Sequence, residues 1–166
     1  LSLVGSEMCI RDRVNASAPA GYITTFSRLI ESIGVQDGEQ NFYHGIIRGI
    51  DHAGFIEARI PKPTLIMATT RDFFNIEGSR ESYKEVKRVY DIFGKPGNIE
   101  LTEDDEGHGY TQINREAMYA FFRKHLQLDG PSEEAEVEYL TEEELQKTPT
   151  GQLASSLGGE TVFTLN

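Results

Sequence analysis

The pattern of apolar and polar positions changes period several times along the chain, most clearly between residues 61 and 125. Pro63 to Thr70 is a short apolar run rich in β-branched residues and closed by Arg71-Asp72, which predicts a buried strand with Asp72 just past its carboxyl end. After it, Tyr83, Val86, Tyr90 and Phe93 fall on one helical stripe that Gly94 and Pro96 bring to a stop. Asn98 to Thr102 predicts a second strand. His108 lies in the next loop, where Gly107 and Gly109 leave the backbone free to turn, and a helix begins near Thr111, its body running from Ile113 to Leu128. Parallel strands joined by a helix are neighbours through a right-handed crossover. The strand ends that carry Asp72 and His108 are therefore expected side by side, on the edge of the sheet where open parallel folds place their chemistry.

Upstream the signals are weaker. Val14 to Ala18 predicts a short strand and Pro19-Ala20-Gly21 a turn, before an amphipathic helix over 22–33 with Ile23, Phe26, Leu29, Ile30 and Ile33 apolar and Gly34 at its end. Residues 36–40 read as a polar turn and 41–50 as helix, weakened by Gly45 and Gly49. Asp51 is suited to cap a short helix over 53–58, and His52 beside it reads as structural, not catalytic. Beyond residue 128, Gly130-Pro131-Ser132 breaks the chain, and an acidic stretch to Gln146 reads as a solvated linker or surface helix. Thr148 to Gly151 predicts a turn and Thr161 to Leu165 a strand.

The 166 residues allow about one domain. Residues 1–13, LSLVGSEMCIRDR, carry no convincing period and do not lead into the segment after them; they resemble translated sequencing-adapter sequence and are set aside as an artefactual or disordered leader. The expected organisation is then 14–128 as the folded body and 129–166 as an acidic linker and the start of a further segment. The net charge is -11. Residues 129–166 hold nine acidic residues against one lysine, a net of -8, which leaves -3 for the remainder. An acidic tail on a body without a basic patch argues against nucleic acid or an anionic membrane as partner, and no apolar run has membrane-spanning length. The single cysteine, Cys9, excludes an internal disulfide.

The candidate chemistry is the pair Asp72 and His108. A hydrolytic triad needs a nucleophile, a histidine to take its proton and a carboxylate to fix and stabilise that histidine. A carboxylate at a strand tip and a histidine on a glycine-flanked loop beside it satisfy two of the three roles. Asp72 could instead cap the following helix, but Asn75 and Ser79 are available for that task. Asp104 and Asp105 rival Asp72 for the acid, though they stand so close in sequence to His108 that the loop would have to double back. No serine lies in a GxSxG frame, so the nucleophile is expected to be missing from the chain, upstream of Val14. The cluster Glu103 to Glu106 lacks the spacing of a calcium loop, and no other metal or phosphate motif occurs.

From about Val14 to Leu128 the sequence resembles the carboxyl-terminal half of bacterial α/β-hydrolases of the acetyl xylan esterase-like and prolyl-oligopeptidase-like group. The resemblance rests on Asp37-Gly38-Glu39-Gln40-Asn41, Gly49-Ile50-Asp51-His52-Ala53, the strand leading from Pro61-Lys62-Pro63 to Thr70-Arg71-Asp72-Phe73-Phe74, and Gly107-His108-Gly109-Tyr110. Residues 139–166 resemble the continuation found after the hydrolase core in that group. The resemblance implies an α/β fold consisting of the last three parallel strands of the hydrolase sheet with flanking helices, truncated at the amino end and missing the other half of its own domain. It puts the catalytic acid on Asp72 and the catalytic histidine on His108, with no counterpart for the serine. It further implies hydrolysis of carboxylic esters, with acetylated polysaccharide as substrate, no metal or organic cofactor, and a secreted or periplasmic enzyme; the chain alone is expected to be inactive. Two other readings stand beside it: a serine peptidase of the same fold, and a non-catalytic α/β binding module.

Overall fold

The computed structural model describes residues 14–32, 34, 43–160 and 162–165. The leader 1–13 with Cys9, the helix end at Ile33 and the turn at 36–40 lie outside them. The chain divides into two compact units, Leu1–Glu134 and Ala135–Asn166.

The first unit is a three-layer α/β arrangement. Its described helices are α1 (Phe26–Ser32), a 3-10 turn at Ile46–Arg48, α2 (His52–Glu57), α3 (Ile76–Ile92) and α4 (Gln112–Leu126), with strands β1 (Thr64–Thr69) and β2 (Ile99–Asp104) between them. β1 and β2 pair in parallel, with Thr64 opposite Ile99 and Thr69 opposite Asp104. A third strand position is present as two parallel bridges, Ser17 to Thr64 and Ala20 to Met67. The Ser17, Pro19 and Gly21 backbone bonds to Pro63, Leu65 and Met67 keep the ladder going on this side. Pro19 has no N–H to give, which limits this segment to bridges and not a regular strand.

All six residues of β1 are buried, the signature of a strand covered on both faces. Ile66 points into one cluster with Ile99, Val86, Tyr90, Ile56 and Leu29, formed against α1, α2 and α3. Leu65 and Met67 point into the other with Ala16 and Phe121, formed against α4. The period of two on the strand thus sorts its side chains to two helical layers. On α3 the stripe of Tyr83, Val86 and Tyr90 faces the core as expected, but Phe93 does not. The helix closes at Ile92, Gly94 turns left-handed at φ 66°, and Phe93 is 60% exposed.

Three other expectations are corrected. Residues 22–25 do not join α1, because Gly21 sits at φ 54° and the backbone of Ile23 and Thr24 is committed to bonds with side chains of α3. Ile30 is accordingly on the exposed side of a shorter helix. The described part of 41–50 is only a 3-10 turn, ended by Gly49 at φ 72°. In the second unit, α5 (Glu142–Leu145) is held by a capping box between Thr141 and Glu144, α6 spans Leu153–Leu157, and Val162–Leu165 is a helical turn (α7), not a strand. No described residue of this unit is buried. Four- and five-residue helices therefore depend on local caps and turns.

Gly78, in the first turn of α3, allows a close approach of the segment at Thr24 and Thr25. A Cβ there would lie 2.1 Å from the Thr24 hydroxyl and 2.7 Å from the Thr25 backbone nitrogen. On an open helix, glycine to alanine gains up to about 1 kcal/mol; here overlap with fixed backbone reverses the sign. Gly78→Ala is expected to cost about 1–3 kcal/mol, read as a lower urea midpoint, and an unchanged or raised midpoint would show that residues 24–25 yield freely.

Candidate functional site

The site is assembled by hydrogen bonds that continue past the ends of the paired strands. Thr70 N–H donates to the Asp104 carbonyl at 2.9 Å and Arg71 N–H to the Glu106 carbonyl at 3.0 Å. The Thr70 hydroxyl and the Arg71 guanidinium both bond to Asp105, and Arg71 also pairs with Glu106 at 3.3 Å. The two loops leave the sheet laced together, with Asp72 one residue beyond the lacing on one side and His108 two beyond on the other. At the far end of the His108 loop, α4 is anchored where it begins. Thr111 caps it through the Asn114 N–H, and the Asn114 amide reaches across to the Ala68 carbonyl of β1 at 3.0 Å. Gly107 and Gly109 are not among the glycines at positive φ, so the turn is made without the conformational freedom expected of them.

His108 Nδ1 lies 3.0 and 3.1 Å from the two carboxylate oxygens of Asp72. The Asp72 side chain is 1% exposed and that of His108 46%. Two more donors converge on the carboxylate, the Thr69 hydroxyl at 3.1 Å and the Phe74 N–H at 3.0 Å. A buried carboxylate without donors would be costly, and three donors compensate this one. Because a carboxylate only accepts, the proton of the neutral imidazole belongs on Nδ1 and the lone pair on Nε2. Phe73 packs against the imidazole with ring centres 4.4 Å apart, and Phe74 follows at 5.7 Å. An open pocket of about 660 Å³ is lined by His108, Tyr110, Gln112 and Ile113 together with Asp104 and Glu106. A buried acid, an oriented imidazole and a cavity beside it are what proton transfer at a substrate requires.

Both residues singled out in the sequence therefore come together. The rival acids do not: Asp105 is turned to Thr70 and Arg71, and neither it nor Asp104 bonds the imidazole. Asn75, not Asp72, caps α3, accepting from the Glu77 and Gly78 N–H groups. None of the described serines bonds to His108; Ser79 and Ser82, for example, donate to the carbonyls of Ile23 and Thr24. Among the described residues there is no group of three or more His, Cys, Asp or Glu side chains placed to hold a metal ion, and no helix long and apolar enough to cross a membrane. What sequence reasoning missed is Gly21. It passes directly over the pair, and its only signal was a Pro-Ala-Gly turn.

No protein-family model matches the sequence, and no curated protein does. Solved structures do. The methylesterase BT1017 is similar with a TM-score of 0.55 and 21% identity, over 71% of this chain and 26% of that one. A carbohydrate esterase family 15 glucuronoyl esterase from Caldicellulosiruptor kristjansonii is similar with a TM-score of 0.61 and 15% identity, over 86% of this chain and 45% of that one. The fold is of the α/β-hydrolase type. The chain spans about a quarter of the first of these structures and under half of the second.

His52, the other histidine considered from sequence, is structural. It is fully buried against Tyr22 and Phe26, with its Nδ1 2.9 Å from the Thr24 carbonyl and its Nε2 buried without a hydrogen-bond partner among the described residues. Asp51 caps α2 through the His52 N–H at 2.7 Å and also accepts from Phe26 N–H at 3.1 Å, so one carboxylate starts two helices. Burial holds the His52 imidazole below its ordinary value of 6.5, against opposing contributions from the Thr24 backbone and Asp51. A depressed folded value means that the unfolded chain takes up the proton first. The stability His52 contributes is then complete above about pH 6.5 and is lost as pH falls toward the folded value, by at most about 1.4 kcal/mol per pH unit. Urea midpoints at pH 7.5 and 5.5 are expected to fall further apart in the wild type than in His52→Gln, which has no charge to acquire; equal differences would refute the assignment.

Proposed function

We propose that Asp72 and His108 are the acid and the general base of a serine-type carboxylic ester hydrolase that acts on carbohydrate esters. The observation that carries this reading is the 3.0 Å contact between Nδ1 of the half-exposed His108 ring and a carboxylate that is almost wholly buried, a contact that leaves Nε2 as the nitrogen for a substrate-side proton. The structural neighbours, one named a methylesterase and the other a glucuronoyl esterase, favour an ester over an amide and a carbohydrate as its carrier. Within that class we favour acetyl groups on plant or algal polysaccharide, from the resemblance noted in the sequence.

In this reading His108 Nε2 takes the proton of a serine hydroxyl as it attacks the ester carbonyl, and returns it to the leaving alcohol. Asp72 fixes the tautomer and stabilises the imidazolium that forms. The Thr69 and Phe74 donors hold the carboxylate pointed at Nδ1 throughout. The serine, with the backbone N–H that would follow it in the oxyanion hole, is supplied by a segment outside this sequence, since no serine here has the glycine frame of a nucleophile elbow.

Two assays test the reading. In the protein that joins this chain to its GxSxG segment, His108→Ala and Asp72→Asn are each expected to lower kcat on acetylated xylan on the order of 10⁴-fold, with little change in KM. Unchanged turnover would instead favour the binding module or another histidine as the base, and preference for a prolyl peptide a peptidase. Residues 1–166 alone are expected to escape labelling by a fluorophosphonate, and a labelled serine would overturn the assignment of the nucleophile to another segment.

A further inference from the structure

We propose that Gly21 is the residue that positions the His108 imidazole against Asp72, and that the absence of a side chain there is a requirement of the site. The inference rests on the reading of Asp72 and His108 as a working pair. A Cβ at Gly21 would stand 3.0 Å from His108 Cε1, 3.2 Å from Nδ1 and 3.4 Å from Asp72 Oδ2. The glycine thus covers the very edge of the ring that carries the shared proton, and it does so at φ 54°, a left-handed conformation that side chains disfavour.

What makes this a positioning device is that the backbone around Gly21 cannot retreat. Gly21 N–H donates to the Met67 carbonyl of β1 at 3.0 Å. The Ile23 carbonyl accepts from Ser79 at 2.6 Å, the Thr24 carbonyl from Ser82 and His52 at 2.9 Å each, and the Phe26 N–H is held by Asp51. Thr24 in turn donates its hydroxyl to the Asn75 carbonyl at 2.9 Å. These partners come from β1, α2, α3 and the caps of those two helices, so the segment 21–26 is tied to the core at one residue after another. The ring is the freer of the two. It is nearly half exposed, and among the described residues its hydrogen bonds are to Asp72 only, with Phe73 and Phe74 packed on its face. A methyl group at position 21 therefore presses the imidazole, not the backbone, aside by a few tenths of an ångström, and the Nδ1–H bond to the carboxylate is the contact that weakens.

Gly49 provides the control. It too is left-handed, at φ 72°, but a Cβ there meets no atom of the described residues within 4 Å, so Gly49→Ala imposes the backbone strain without the contact. The readout is the tautomer of His108 in the full chain, from two-bond nitrogen–proton correlation spectra of the neutral imidazole at alkaline pH, assigned with His108→Gln. The wild type and Gly49→Ala are expected to hold the proton on Nδ1. Gly21→Ala, and Gly21→Asn with a side chain that tolerates the left-handed region, are expected to lose that signal and show the proton on Nε2, with circular dichroism unchanged. Retention of the Nδ1 proton in the Gly21 variants would overturn the proposal, as would loss of the folded state in both, because the displaced group would then be the backbone. A wild type that itself carries the proton on Nε2 would instead refute the Asp72–His108 pairing.

Discussion

The register of two parallel strands is the constraint on which everything else here depends. Thr69 opposite Asp104 sets where each chain leaves the sheet, and the bonds from Thr70 to Asp104 and from Arg71 to Glu106 carry the pairing into the loops. A slip of one residue would turn every side chain of β1 to the wrong face, exchanging Ile66 with Leu65 and Met67 between two cores that differ in shape. It would also carry Asp72 away from His108. The apolar burial that stabilises the fold and the geometry that brings acid and imidazole together are thus fixed by the same ladder.

Around that ladder the polar groups of the interior are organised to hold one irregular segment. Residues 21–25 have no regular secondary structure before α1 begins, yet their backbone groups and the first N–H of α1 find partners in Met67, Ser79, Ser82, His52 and Asp51. Buried backbone outside a helix or strand needs such partners. Serines on α3, a poor choice for helix propensity, are explained by this task. So is the close contact at Gly78, which lets the start of α3 reach Thr24. The segment serves the site because its first residue, Gly21, touches the imidazole. The polar core and the candidate active site are one construction.

Much of this was legible from residue order alone. The strand ending at Asp72, the helix after it and the second strand were visible as changes of apolar period, and the crossover rule then brought Asp72 beside His108. The capping role of Asp51 was visible because an acid before a short helix has few other uses. What stayed hidden was long-range. Nothing near Gly21 in the sequence points to a histidine 87 positions away, and the apolar spacing of 22–33 imitated a helix whose first turn is consumed by bonds to α3. Phe93 continued a stripe that the left-handed turn at Gly94 cut short. Residues 161–165 looked like a strand because their side chains suit one, but a strand needs a partner, and a short unit with no buried residue among those described offers none.

β1 and β2 deliver a buried carboxylate and an imidazole into direct contact through Nδ1. A crystal structure of the chain near neutral pH tests it most directly. The expected result is His108 Nδ1 about 3 Å from Asp72, with the Thr69 hydroxyl and Phe74 N–H on the same carboxylate. An imidazole turned out to solvent, with the Asp72 carboxylate bonded only by its own turn, would contradict it.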